Sequence, residues 1–260
     1  MKYLLFLLLF CSVVSCVLYA QVPSDLSKLI PDGDISAAFG EQETTWTIRS
    51  SSADFDLHDE INQKVVSRTV AGNETVIVLR TGSFSSSVAL SLQDRKSFLS
   101  ATRFVHPENA QILAISQKLF PSIDPVETVN RYVYQYISNK SLGMPLASDT
   151  QVLDLKTGDC KEHAVLAVSI LRSAGIPARA VTGLVLLPSF RGAKNVFGFH
   201  MWAEAYIGGR WVIIDATYSG AGKYNRYIAL ARHSLRTEAP LDYIAAVSAV
   251  HNLSIRLTDK

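Results

Sequence analysis

Three residues far apart in the chain have the types needed for nucleophilic acyl transfer: Cys160, His200 and Asp215. Cys160 sits in Thr157-Gly158-Asp159-Cys160-Lys161-Glu162-His163-Ala164, and the other two cysteines, Cys11 and Cys16, fall inside an apolar leader. Exported proteins use cysteine mainly in pairs, so a single thiol in the folded body is either incidental or reactive. A thiol becomes a useful nucleophile when a base takes its proton and a third group orients that base. His200 and Asp215 are the candidates for those two roles.

The local pattern around each residue says how it would be presented. Asp159 reads as an N-cap with Glu162 three positions on, a capping-box variant. The helix that follows turns Ala164, Val165, Ala167, Val168 and Leu171 inward and stops at Gly175-Ile176-Pro177. Cys160 is then the first helical residue, where unpaired backbone N–H groups and the positive end of the helix dipole favour thiolate over thiol. The negative charge of Asp159 works against this, so an imidazolium must supply much of the activation.

Alternation from Phe199 to Ile207 puts His200, Trp202, Glu204 and Tyr206 on one face of a strand and Met201, Ala203, Ala205 and Ile207 on the other. Gly208-Gly209 is a two-residue hairpin turn. That turn sets Trp202 opposite Asp215 and His200 opposite Thr217, which makes His200 and Asp215 diagonal neighbours on one face. Trp202 shares the His200 face and is a candidate substrate-binding wall, with a plain core role as the alternative. Glu204 on the same face is a candidate ion-pair partner of Arg179.

Four blocks occur in order: Gly158-Asp159-Cys160-x-x-x-Ala164; Leu171-Arg172-x-x-Gly175-Ile176-Pro177-Ala178-Arg179-x-Val181-x-Gly183; His200-x-Trp202-x-Glu204-x-Tyr206; and Trp211-x-x-x-Asp215-x-Thr217. Together they resemble the transglutaminase-like superfamily of papain-like thiol enzymes, in an exported bacterial-type form. The resemblance spans about Ser100 to Tyr218, under half the chain. It implies an α+β fold with helices packed on an antiparallel sheet, with Cys160 as nucleophile, His200 as general acid and base, and Asp215 as the residue orienting His200. It also implies a thioester mechanism on a protein or peptide substrate and no cofactor or metal. Ala216 departs from the proline usual between Asp and Thr in this family, and no calcium loop is visible. The backbone N–H of Cys160 is one oxyanion donor by position. Tyr134, Tyr136 or an amide before Cys160 are candidates for the second.

The rest of the chain frames this segment. Residues 1–20 carry Lys2 and then an uncharged apolar run to Ala20, the form of a secretory signal peptide. A membrane anchor is the alternative, since the run approaches the roughly 17 to 25 residues of a spanning helix. Val13-Val14-Ser15-Cys16 resembles a lipoprotein processing site, and a lipidated Cys16 would tether the protein to a membrane. The expected location is therefore periplasmic, cell-surface or secreted.

Residues 21–105 read as a β-rich amino-terminal domain or extension, with strands at Thr45–Arg49, Lys64–Val70, Glu74–Arg80 and Ser87–Leu92 and a turn at Ala71-Gly72-Asn73. Residues 106–260 read as the domain bearing the site. Its leading helices run from Glu108 to Leu119 and from Pro125, capped by Asp124, to Ile137. Arg191-Gly192-Ala193-Lys194 reads as a loop, and an apolar run, Tyr243–Val250, with a strand-like Leu253–Leu257 closes this second domain. The net charge of +2 offers no basic patch for nucleic acid.

Three other readings compete with catalysis. Cys160 is also a small buried residue by type. Cys160, His163, His200 and Asp215 are four metal-ligating types, although the Cys-x-x-His pair lacks its usual companions. A binding or assembly module that keeps the fold without turnover is the third, because a fold does not prove an activity.

Overall fold

The computed structural model describes residues 27–84, 89–142, 145–218, 222–236, 250 and 252–258. The leader, Cys16 and the run 243–249 lie outside the described residues. In chain order the strands and helices are β1 (Lys28–Leu29), β2 (Thr44–Ser50), β3 (Gln63–Ala71), β4 (Glu74–Thr81), α1 (Leu92–Ser97), α2 (Ala110–Leu119), α3 (Pro125–Tyr136), β5 (Asn139–Lys140), α4 (Asp149–Leu155), β6 (Thr157–Gly158), α5 (Cys160–Ser173), β7 (Ala178–Phe190), β8 (Ala193–Ile207), β9 (Arg210–Ile214), β10 (Tyr227–His233) and β11 (Leu253–Leu257). No helix among the described residues is long and apolar enough to cross a membrane.

The central sheet runs β1-β8-β7-β10, with β9 also paired to β8, and every pairing in it is antiparallel. Its β7 and β8 strands are long because Arg191 and Gly192, at φ 44° and 78°, make a tight turn between them. Only these two residues turn: Ala193 and Lys194, expected in a loop, already pair with Phe190 and Ser189. Positive φ at Gly192 and at the Gly208-Gly209 turn explains glycine at these three positions.

Helix α5 lies on the sheet where Ala178, Ala180, Ala203 and Ala205 leave a shallow surface, and its Ala164, Val165, Val168 and Leu171 join them in one core with Ile112, Val129 and Val133 from α2 and α3. Small residues on the strands let the helix approach closely, so the position of its first turn is set by packing. Farther along the sheet, Leu184, Leu186, Phe197 and Ile228 pack against a second sheet, β11-β2-β4-β3, through Trp46, Ile48, Ile77, Leu79 and Ile255. The molecule is thus α+β, with helices on an antiparallel sheet and a β-rich amino-terminal region.

Two further expectations change. Leu253–Leu257 is a strand, but it pairs with β2 in the amino-terminal sheet rather than closing the segment that holds the site. At the other end, β1 pairs with β8 of the central sheet, so the two sheets exchange chain ends. Of the expected Ser87–Leu92 strand, residues 87–88 lie outside the described set, 89–91 are not in a strand, and Leu92 opens α1, which Ser91 caps by accepting from the Asp94 N–H at 3.0 Å.

A buried carboxylate pins the approach to α4 and α5. Asp149 accepts from the His106 N–H at 2.5 Å, His106 Nδ1 at 2.6 Å and the Thr150 N–H at 2.8 Å, as well as from the Ser169 hydroxyl of α5. Replacing it strands these donors out of water. Asp149→Ala is expected to lower stability by about 3 kcal/mol, read in thermal unfolding as a drop of roughly 6–12 °C.

Candidate active site

The first turn of α5 is built by its cap. The Asp159 carboxylate accepts from the Lys161 N–H at 3.0 Å, and the Glu162 carboxylate reaches back to the Asp159 N–H at 2.9 Å, closing the capping box. Glu162 also accepts from the Ala147 N–H at 3.1 Å. Gly158 has a steric reason here: a Cβ on it would lie 2.3 Å from the Glu162 Cβ, displacing the cap. The Lys161 ammonium sits 2.6 Å from both Asp159 oxygens, so the negative charge expected to oppose a thiolate is paired inside the protein. Although burial opposes it, the charges of Cys160, Asp159 and Glu162 push Lys161 above its ordinary value. Glu162 is raised to about 7, chiefly by burial.

Cys160 is partly exposed at the start of this helix. Its N–H is among those of a first turn without an intrahelical acceptor, and so remains available to a ligand. His163, a metal-ligating type by sequence, is buried one turn on. Its Nδ1–H donates to the Asp159 carbonyl at 2.6 Å and its Nε2 accepts from the Lys140 ammonium at 2.6 Å. Burial depresses its pKa to about 4, which keeps the ring neutral. Among the described residues no group of three or more His, Cys, Asp or Glu side chains is arranged to hold a metal ion.

The hairpin delivers the other two groups as its register requires. Glu204 pairs with Ile213 and Ala203 with Ile214, which carries Asp215, the next residue, to the level of Trp202. His200 Nε2–H donates to Asp215 Oδ2 at 2.8 Å, and Cys160 makes a second side-chain hydrogen bond to the imidazole. The imidazole therefore stands between thiol and carboxylate. Opposite His200 on β7 is Gly183, where a Cβ would strike the Ile228 carbonyl oxygen at 2.0 Å and Trp202 Cη2 at 2.9 Å.

Trp202 is 1% exposed and lies under the His200 ring, centroids 6.3 Å apart and planes 23° from parallel. It backs the imidazole from the protein side. Glu204 does pair with Arg179, at 2.7 Å to Nε and 2.6 Å to the guanidinium NH2 group, and Arg179 also holds Glu60 at 3.2 Å.

Asp215 is held more completely than the sequence indicated. Its Oδ1 accepts the Thr217 N–H at 3.2 Å and the Thr217 hydroxyl at 2.6 Å, in an Asx-type turn that forms with Ala216 where the family has proline. Its Oδ2 accepts the Tyr227 hydroxyl at 2.9 Å in addition to His200. Tyr227 and Tyr218, the latter 39% exposed with its ring 6.3 Å from that of His200, lie beyond the last recognisable block. Residue type gave no signal for either; only the strand placement of β10 brings Tyr227 in. The Tyr136 hydroxyl donates to the Leu153 carbonyl at 2.9 Å, so it is occupied away from Cys160, and Tyr134 lies beneath the Lys140 ammonium at 4.6 Å.

The electrostatics follow from this packing. Burial alone would depress His200, but the Asp215 carboxylate with its hydrogen bond, and the Cys160 sulfur, outweigh it and hold the imidazole at about 10. Burial pushes Asp215 the opposite way, and it is overcome by His200 and by the Thr217 and Tyr227 donors, leaving it below 3.8. The pair is thus an imidazolium and a carboxylate across neutral pH.

Residues 112–216 match the family model described as the transglutaminase-like superfamily. Among solved structures, the fold is shared with a candidate cysteine protease from Cytophaga hutchinsonii at 19% identity and a TM-score of 0.51, covering 83% of this chain and 84% of that one. The periplasmic domain of TgpA from Pseudomonas aeruginosa is similar at 18% identity and a TM-score of 0.50, covering 76% of this chain and 74% of that one. No curated protein is significantly similar. At such identities the likeness concerns the fold.

Because His200 is raised from an ordinary 6.5 to about 10, the stability its pairing contributes is complete below 6.5 and is lost as pH rises through 10. The stability advantage of the native protein over Asp215→Asn is therefore expected to hold near pH 6 and to shrink steadily toward pH 10. Urea unfolding of both proteins across that range measures it; an advantage independent of pH contradicts a charged pair.

Proposed function

We propose that the protein is an exported thiol enzyme that transfers acyl groups from peptide or glutamine-type amides through a thioester on Cys160, with hydrolysis as its main outcome. The observation that carries this reading is the imidazole of His200 held between Asp215 Oδ2, at 2.8 Å, and the sulfur of a partly exposed Cys160. In the reaction the Cys160 thiolate attacks the amide carbonyl, and the oxyanion is met by the Cys160 N–H. The C–N bond breaks as the imidazolium of His200 gives its proton to the departing amine. His200, now neutral, takes a proton from water, whose oxygen attacks the thioester and frees the carboxylic acid and the Cys160 thiolate, restoring the thiolate and imidazolium pair.

Asp215 fixes which nitrogen of His200 carries the proton toward it and stabilises the charged ring. Trp202, covered by its neighbours, supports His200 from behind and does not meet substrate. An amine in place of water would give cross-linking by the same steps. Export rests on the leader at 1–20 and agrees with the periplasmic origin of one fold relative; lipidation at Cys16 would add a membrane tether.

The test compares the native protein with Cys160→Ala for ammonia release from casein and for incorporation of a fluorescent amine. Ammonia release without amine incorporation, reduced by about 10³-fold or more in the variant, is expected. Equal release by both proteins overturns the assignment of Cys160. An iodoacetamide alkylation profile of Cys160 against pH that His200→Ala leaves unchanged overturns the pairing and favours a binding module.

A further inference from the structure

The side chain of Asp215 is 1% exposed, and the two of its four hydrogen bonds that fall on Oδ1 both come from Thr217, within the same turn. Oδ2 is different. It takes the His200 Nε2–H at 2.8 Å and the Tyr227 hydroxyl at 2.9 Å, and Tyr227 comes from β10, outside the span that matches the family. The phenol is 2% exposed and fixed on every side. Its ring meets Trp202 edge to face at 5.1 Å, Trp202 in turn backs His200, and a Cβ on Gly222 would lie 2.3 Å from the phenol oxygen.

We propose that Tyr227 is a positioning residue for the His200 and Asp215 pair: its hydroxyl donates to the same oxygen that His200 uses, fixing the plane of the carboxylate and lowering its appetite for the imidazolium proton. The inference rests on the catalytic reading of Cys160, His200 and Asp215.

The physical case is one of geometry. The last torsion of an aspartate is broad and roughly two-fold, so donors on Oδ1 alone leave Oδ2 free to swing out of the imidazole plane. A second donor on Oδ2 closes that freedom. It also occupies a lone pair of a carboxylate held out of water, where an unanswered acceptor costs free energy. Phenylalanine would fill the same space without either effect.

The charged or titratable groups facing Asp215 are His200 from β8, Tyr218 from the turn after β9, Tyr227 from β10, and Cys160 and His163 from α5, with Arg226 beside the two phenols. Of these, Tyr227 is a neutral donor whose removal leaves the charges in place.

The experiment follows iodoacetamide alkylation of Cys160 from pH 6 to 12 in the full chain. The proteins compared are the native one, Tyr227→Phe, a form with 3-fluorotyrosine placed at position 227, and His200→Ala. Loss of the hydroxyl leaves the Asp215 carboxylate more basic, so the imidazolium beside the Cys160 thiolate is retained to higher pH. The alkaline inflection, where the imidazolium is lost, is expected to move up by about one pH unit in Tyr227→Phe, the size of one hydrogen bond to a charged group. It is expected to move down with fluorotyrosine, a stronger donor.

A profile identical to the native one in Tyr227→Phe, while His200→Ala alters it, overturns the role of Tyr227 and leaves the catalytic pairing standing. An unchanged profile in His200→Ala brings down the catalytic reading and the inference together. Should Tyr227→Phe not fold, absence of any shift with fluorotyrosine overturns the inference by itself.

Discussion

A carboxylate held out of water persists as an anion only while its lone pairs are answered, and most of this site can be traced to that demand on Asp215. Four donors from three directions meet it, two from its own turn, one from β8 and one from β10. Because the strands carrying them are paired through β7, the central sheet must be complete before the carboxylate is satisfied. Imidazolium at His200 is then a consequence of the carboxylate, since burial by itself would favour the neutral ring.

The start of α5 obeys the same logic with a different solution. Asp159 and Glu162 are buried acids, and backbone N–H groups and the Lys161 ammonium meet them without drawing on His200. Two acidic systems thus flank Cys160 without competing for one proton donor. His163, between them, is kept neutral by burial and by its bond from Lys140, so it adds no charge to the site. Glycine at 158 and 183 belongs to this arrangement as much as the charged residues do, because a single methyl at either would displace a neighbour that the site depends on.

What could be read from the sequence was local. The capping box at Asp159 and Glu162, the proline-led start of α3 and the Gly208-Gly209 hairpin are each decided within a few residues, and the hairpin register brought His200 to Asp215 before any fold was known. Nothing local marks Tyr227 as a partner of Asp215, because their meeting is decided by the register of β10 on β7. Arg191 falls in a longer loop by its sequence because a non-glycine residue at positive φ gives no sign there of so tight a turn. Leu253–Leu257 has the alternation of a strand, but alternation names a face and not a neighbour, so its place beside β2 was hidden. At Leu92 the apolar pattern suggested a strand, and the Ser91 cap, one hydrogen bond, decided for a helix.

The strand β11 also orders events in time. Its partner β2 is made about two hundred residues earlier, and until residue 257 has been synthesised the outer edge of the amino-terminal sheet lacks the strand that covers it. An uncovered edge is a template for pairing with other chains, and contacts this far apart in sequence form slowly. The nascent chain therefore cannot complete its amino-terminal half early and lock it. It stays unfinished until residues 253–257 are available, an order that fits the export proposed above.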